Sequence, residues 1–404
     1  MNSNNPQHSI SNLMPIYPNR LAIAFERGQG VWLWDKDGEK YLDALAGIAV
    51  CGLGHSHPAV TKTFCEQAGK LIHVSNTYQI PEQETLATAL ARTSGMDQVF
   101  YANSGAEANE AAIKMARLYA RKKNIVEPIV ICMKNSFHGR TMATLSASGS
   151  ERLQIGFEPL VERFIHIPFN DISALKTAVK QHEASIVAIM LEPVQGDGGI
   201  QAATTEFLKT IRLLCDQHDW LMILDEIQTG LCRTGPWFAY QHYDVMPDVL
   251  TLAKTLANGF PIGAYLSRGK ANNLFPIGKH GSTFAGNTLG CAVAITVLET
   301  LEKENISAHV KKIGDYLLQH LKKCFSKHSQ VISIRGQGLM IGIELDRECR
   351  NLPRLGLKHR LLFNVVANNT IRLLPPLILN QEEANEICHR LVKTVDDFYT
   401  VESL

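Results

Sequence analysis

At 404 residues the chain is too long for one small core and fits a large domain with a smaller one, or two of similar size. Its 40 Lys and Arg against 39 Asp and Glu leave a formal charge of +1, which argues against nucleic-acid or membrane-surface binding driven by bulk electrostatics and points to small-molecule partners. The nine cysteines are scattered with no CxxC or zinc-spaced Cys/His pair, there is no basic-then-apolar leader, and no apolar run approaches the ~20 residues of a membrane span, so a metal-free cytoplasmic enzyme is the expected class.

Residues 1 to about 15 are polar, with Asn, Ser and Pro, which predicts a disordered or loosely docked start. From Leu21 to Asp43 apolar and polar residues alternate around Asp37-Gly38, a hairpin pattern with its turn chemistry in place. His55 and His57 follow on a Gly-rich, Pro-terminated loop; they are half of a metal ligand set with no remainder and read as ordinary loop residues.

From Gln98 a short strand meets Asn103-Ser104-Gly105 and runs into a helix on which Ala108, Ala111, Ala112, Met115 and Tyr119 recur at three- and four-residue steps. Ser104 can cap that helix and Gly105 leaves its backbone open, so the first turn can receive a phosphate; an ordinary capped helix would look the same. The run I-V-I-C-M-K-N-S-F-H-G-R-T takes a strand into a turn with Phe137, able to stack on a ring, and Arg140, able to clamp a carboxylate. Another strand ends at Glu192, with Asp197 in the Gly-rich loop beyond; solvated strand-end acids and site residues are equally good readings of the pair.

The apolar run from Trp220 to Leu224 then stops on Asp225 and Glu226, and D-V-L-T-L-A-K-T stops a second run on Lys254. Beyond it lie Gly-rich loops, a helical stretch from about Leu289 to His328, and R-G-Q-G-L-M-I-G-I-E-L, whose glycines mimic a dinucleotide fingerprint with the wrong spacing and a strand where a helix is needed. A strand carrying Arg372 follows, and Asn380 with Glu383 caps a final helix burying Ala384, Ile387, Leu391, Val395 and Phe398. The expected fold class is therefore α/β, a mostly parallel sheet in a large domain with a second α+β unit from about residue 290.

Five successive strand ends carry polar groups while the strands do not, and the C-terminal edge of an open parallel sheet is where ligands bind. An acid and an amine there suit pyridoxal 5′-phosphate: Lys254 can hold its aldehyde, and Asp225 can keep its pyridine nitrogen protonated.

The motifs W-L-W-D-K-D-G-E-K-Y-L-D, G-I-A-V-C-G-L-G-H-S-H-P, N-S-G-A-E-A-N-E-A-A-I-K, F-H-G-R-T, L-E-P-V-Q-G, L-D-E-I-Q-T-G and T-L-A-K, in this order, resemble those of the class III (ω-amino acid) pyridoxal-phosphate aminotransferases over nearly the whole chain. The resemblance implies fold type I, with an N-terminal segment of residues 1–50 joining a small domain of residues 291–404, a large cofactor-binding domain of residues 51–290, and a homodimer with active sites at the subunit interface. It makes Lys254 and Asp225 catalytic, places Phe137 and Ile227 on the two ring faces and Gln228 near the ring hydroxyl, and gives the phosphate to Ser104, Gly105 and Ala106 with Thr283 of a second copy. Substrate binding falls to Tyr17, Arg140, Glu192, Asp197, Ser282 and Arg372, and the implied activity moves a terminal amine to 2-oxoglutarate.

The chain departs from that pattern at Asp197, where glutamate is usual; one methylene less is expected to stretch or water-bridge its ion pair with Arg372 and to weaken the masking of that arginine. It departs also at Thr255, Ala257 and Asn258, where glycines are common, at Cys232, where glycine is usual, and at Thr288, where proline is usual. A different ω-amino donor, an aminomutase on the same scaffold, and a cofactor-holding protein without turnover remain open readings at this level.

Overall fold

The computed structural model describes residues 12–14, 16 and 20–401. Tyr17 and most of the polar start therefore lie outside the described residues.

Three antiparallel strands come first, β1 (Phe25–Gln29), β2 (Trp32–Asp35) and β3 (Lys40–Asp43), with Asp37-Gly38 turning β2 into β3 as the alternation predicts. Next come β4 (Gln98–Ala102), β5 (Ile129–Met133), β6 (Phe164–Ile167) and β7 (Ile186–Leu191), a two-residue pair β8 (Val194–Gln195) and β9 (Gln201–Ala202), and then β10 (Leu221–Asp225), β11 (Val249–Leu252) and β12 (Gly263–Ser267). Excluding the short pair, these form one seven-stranded sheet in the order β4-β12-β11-β10-β7-β5-β6. Every strand but β12 runs the same way, since β12 is antiparallel to both β11 and β4.

The sheet is buried on both faces, which is why its strands read as unbroken apolar runs. Successive residues serve opposite layers. Val130, Cys132, Leu221, Ile223 and Val249 pack under the helix Gly105–Lys122, while Ile131, Met133, Met222, Leu224 and Leu250 join the core shared with the helices Pro81–Ser94, Thr205–Gln217 and Thr288–Lys303. Each such fully buried side chain contributes roughly 1.5–3 kcal/mol.

The glycines of R-G-Q-G-L-M-I-G form an antiparallel hairpin of β13 (Val331–Gln337) and β14 (Met340–Leu345) and no dinucleotide fold. With β15 (Leu361–Leu362), β16 (Asn364–Val366) and β17 (Thr370–Leu373), the C-terminal part makes a four-stranded sheet in the order β13-β14-β17-β16, whereas β15 pairs parallel to β3 and so ties the two ends of the chain together. Asn380 and Glu383 cap the final helix reciprocally, each side chain accepting the other's backbone N–H. No described helix is long and apolar enough to cross a membrane.

Glu226, next to Asp225, is buried and gathers the N–H groups of Ala239 and Tyr240 with the Thr229 hydroxyl. Burial raises its carboxyl from 4.5 to about 7, more than those donors lower it. The folded chain thus holds a proton that the unfolded chain releases in this window, so this group's contribution to stability falls as pH rises from about 5 to about 7. Glu226→Gln removes that slope: the melting temperature of the variant relative to the wild type should climb across the window, and a flat difference would contradict the assignment.

Candidate active site

β10 and β11 lie side by side and parallel, with Asp225 opposite Thr251. Asp225 is buried, and its carboxylate is held from three directions. Asn109 Nδ2 and His138 Nδ1 donate to Oδ2 at 2.7 and 2.8 Å, and the Ile227 N–H donates to Oδ1 at 3.1 Å. Thr251 Oγ1 donates to Asn109 Oδ1 at 2.7 Å, and Asn109 Nδ2 also reaches the His138 carbonyl at 2.8 Å, so the amide can point only one way. Burial opposes charge on His138, but its hydrogen bond to Asp225 and the fields of Asp225 and Glu192 outweigh it and raise its pKa. The imidazole is therefore a second side-chain partner, beside Asn109, that holds the Asp225 carboxylate in place.

Asn109, His138 and Thr251 extend the site beyond its sequence-predicted residues. The signal for Asn109 is an uncharged polar side chain on the buried face of an otherwise Ala-rich helix, where it is fully enclosed.

Lys254 sits two residues beyond the end of β11, at φ +50°, and faces a cavity of about 360 Å³ that Asp225, Phe137, Arg140 and Ser104 also line. Protein surrounds its amine, so burial first, then the Arg372 charge, lowers its pKa to about 8 against the opposing pull of Asp197, Asp225 and Glu192. An amine poised so near neutrality can exchange protons at ordinary pH. Among the described residues it makes no ion pair or hydrogen bond.

At the other end of the cavity Ser104 caps the helix Gly105–Lys122, its hydroxyl accepting the Glu107 N–H at 3.2 Å. The helix leaves the first-turn N–H groups of Gly105 and Ala106 without intrahelical partners, and its dipole favours an anion there. A side chain at Gly105 could not be accommodated as the chain stands, because a Cβ would come within 2.8 Å of Ile227. Phe137, Ile227 and Gln228 line the same space, with the Arg140 guanidinium 5.5 Å from the Phe137 ring and exposed. Glu192 also lines it; its oxygens accept the Phe137 N–H at 3.1 Å and the Gly196 N–H at 3.2 Å, fixing two loops, and burial raises its pKa to about 7.

The expectation for Asp197 is corrected. Arg372 Nη1 donates to Asp197 Oδ1 at 2.8 Å, a direct pair with no stretching. The Gly-rich loop of residues 196–199 carries the aspartate close enough to replace the missing methylene. Arg372 is almost wholly buried on β17, with Asn364 Oδ1 accepting from its Nε at 3.0 Å and Gln228 Oε1 at 3.4 Å from Nη1, whereas the Asp197 side chain is 43% exposed. Among the described residues Arg140 has no carboxylate partner.

Three expected residues stand outside the lining of this chain's cavity: Arg372, which reaches it only through Asp197 and Gln228, and Ser282 and Thr283. Ser282 accepts the Asn103 amide at 2.8 Å and adjoins the cavity only through that asparagine, and Thr283 is exposed and lines none of it. His55, read as a loop residue, pairs with buried Asp43 at 2.8 Å.

The donor set fits pyridoxal 5′-phosphate: an amine without a partner among the described residues, a buried carboxylate held by Asn109 and His138, apolar walls and an open helix N-terminus meet in one cavity of suitable size. The profile of the aminotransferase class-III family matches residues 16–395. A protein named acetylornithine aminotransferase from Nitrosomonas europaea is 49% identical over 379 residues, 94% of this chain and 96% of its own. Among solved structures, ornithine aminotransferase from Toxoplasma gondii has a TM-score of 0.90 at 33% identity over 96% of this chain and 93% of its own, and N-acetylornithine aminotransferase from Stenotrophomonas maltophilia has a TM-score of 0.83 at 36% identity over 95% and 98%. The chain belongs to the class-III aminotransferases.

Proposed function

We propose that the protein transfers the terminal amine of N2-acetyl-L-ornithine to 2-oxoglutarate with pyridoxal 5′-phosphate as cofactor, giving N-acetyl-L-glutamate 5-semialdehyde and L-glutamate, a step of arginine biosynthesis in the cytoplasm. The observation that carries this reading is the unequal state of two arginines: Arg140 lines the cavity with no carboxylate partner among the described residues, while Arg372, outside the lining, is paired with Asp197, which lines it. A donor reacting through its terminal amine brings one carboxylate, at its far end, for Arg140 and none for Arg372. Glutamate and 2-oxoglutarate bring two, and the second displaces an aspartate that water can already reach. The relatives' names support the same donor.

The remaining roles follow. Bound in this cavity, the cofactor supplies the electron sink for charge left on the substrate carbon when its proton departs. Lys254 would hold the cofactor's aldehyde end, and its amine would move that proton. Asp225, held in place by Asn109 and His138, would keep the pyridine nitrogen protonated. Ser104, Gly105 and Ala106 would take the phosphate, Phe137 and Ile227 would flank the ring, and Gln228 would serve its hydroxyl. Glu192 holds the loops bearing Phe137 and Gly196, and Tyr17 and Ser282 serve the amino-acid end.

The chain acts as a homodimer in this reading, with residues 1–50 and 291–404 forming a small domain beside a large one of residues 51–290. Support comes from Ile72, Tyr78 and Phe284, which are exposed on adjoining segments where the His73 and Phe284 rings lie 5.3 Å apart, and from Thr283 beside them, free to reach a phosphate held by a second copy. The pairing of β3 with β15 supports the joining of the two ends.

Steady-state formation of glutamate from 2-oxoglutarate should show the highest kcat/KM with N-acetylornithine, above ornithine, succinylornithine and 4-aminobutyrate; a higher value with any of these would replace the proposed donor. Asp197→Ala should lower KM for glutamate in the reverse half-reaction by about tenfold, the scale of one charge-assisted hydrogen bond, and leave KM for N-acetylornithine within about twofold. Unchanged KM for glutamate would refute the masking role.

A further inference from the structure

The turn that carries Lys254 is strained. Lys254 stands at φ +50°, a short 3-10 turn runs from Lys254 to Ala257, and Asn258 closes it at φ +47°. Left-handed backbone is costly for residues with a Cβ and persists only where surrounding contacts over-determine it. Those contacts come from a segment some two hundred positions earlier. Thr255 Oγ1 donates to the Ala49 carbonyl at 3.0 Å, Asn258 Oδ1 accepts the Leu53 N–H at 2.7 Å, and Asn258 Nδ2 donates to the Gly54 carbonyl at 3.0 Å. Gly52 lies flush against Thr255, where a Cβ would fall 2.4 Å from its methyl group.

The earlier segment is strained as well. Ala46, Gly47, Ile48 and Ala49 have φ of 50, 63, 67 and 61°, one turn of left-handed helix, which three residues with a Cβ do not hold unaided. Asp43 Oδ1 anchors its start by accepting the N–H groups of Leu45 and Ala46, both at 2.9 Å, and Thr255 anchors its end. Val50, the next residue, lines the cavity together with Lys254.

We infer that Thr255 and Asn258 are positioning residues, a three-bond clasp that locks the lysine turn to the Ala49–Gly54 loop and so fixes the Lys254 amine relative to the Val50 wall of the cavity. Neither side chain touches the cavity itself; each acts through a neighbour. Glycine would satisfy the backbone at 258 at less conformational cost, so asparagine there is explained by what its amide holds. The inference rests on Lys254 being the reacting amine.

That preference also supplies a clean test. Asn258→Gly keeps the left-handed backbone and deletes both of its bonds, Thr255→Ala deletes the third, and Thr255→Ser retains the hydroxyl. In the cofactor-loaded enzyme the Leu53 amide should exchange with solvent about tenfold faster or more in Asn258→Gly, with no change in the helix Gly105–Lys122. The Thr255→Ala/Asn258→Gly double variant should lose about fivefold or more in kcat while KM for the amine donor stays within about twofold, and Thr255→Ser should match the wild type. Unchanged exchange across Ala49–Gly54, or a loosened loop with kcat intact, would overturn the clasp. Exchange is read without substrate, so it stands apart from the functional reading, which fails instead on a wild-type enzyme that turns over no amine.

Discussion

Lys254→Ala is expected to lower turnover by on the order of 10⁴-fold, the upper range for loss of a positioned proton-transfer group. Among the described residues lining the cavity it is the single lysine, and its pKa of about 8 makes it the one amine there that can both give and take a proton near neutrality. Arg372 cannot substitute, since a guanidinium does not deprotonate in this range and its Nη1 is engaged by Asp197. The measurement is a single turnover of amine donor at saturating cofactor, with circular dichroism confirming that the variant is folded. A rate within tenfold of the wild type would mean that some other group moves the proton.

Asp225→Asn is expected to cost on the order of 10³-fold in kcat, comparable to removing one preorganised electrostatic partner of a developing charge. The side chain keeps its shape but loses the charge that holds a proton on the cofactor's ring nitrogen, so substrate binding should change little and kcat should carry the loss. A second readout distinguishes this from misfolding. His138 owes its raised pKa to Asp225, against the opposing effect of burial, so in the variant its imidazole should lose its proton at lower pH, visible in its NMR chemical shift. An imidazole that titrated as in the wild type would show that the two side chains are not coupled as the geometry requires.

Much of the site was legible because strands buried on both faces are spelled in apolar residues, so a polar group at a strand end stands out. Asp225 and Lys254 were visible as the first charges after two such runs, and parallel pairing of β10 with β11 puts them on one edge. The Asn380 cap and the failed dinucleotide fingerprint were legible for the same local reasons. What sequence did not reveal depends on distant pairs. Asn109 meets Asp225 across 116 positions, and Thr255 meets Ala49 across 206, separations at which no periodicity carries a signal. The direct Asp197–Arg372 pair escapes the sequence because the loop's path, and not side-chain length alone, decides how far the carboxylate must reach.

The most direct test of the account is the visible absorption of the purified, cofactor-loaded protein through two additions. N-acetylornithine without any keto acid should bleach the cofactor's yellow band as its amine is taken up, and 2-oxoglutarate should then restore it, because Lys254 serves both half-reactions in one cavity. A band unmoved by N-acetylornithine would contradict the proposed donor, and a protein that stays colourless when supplied with pyridoxal 5′-phosphate would contradict the role of Lys254 on which the account depends.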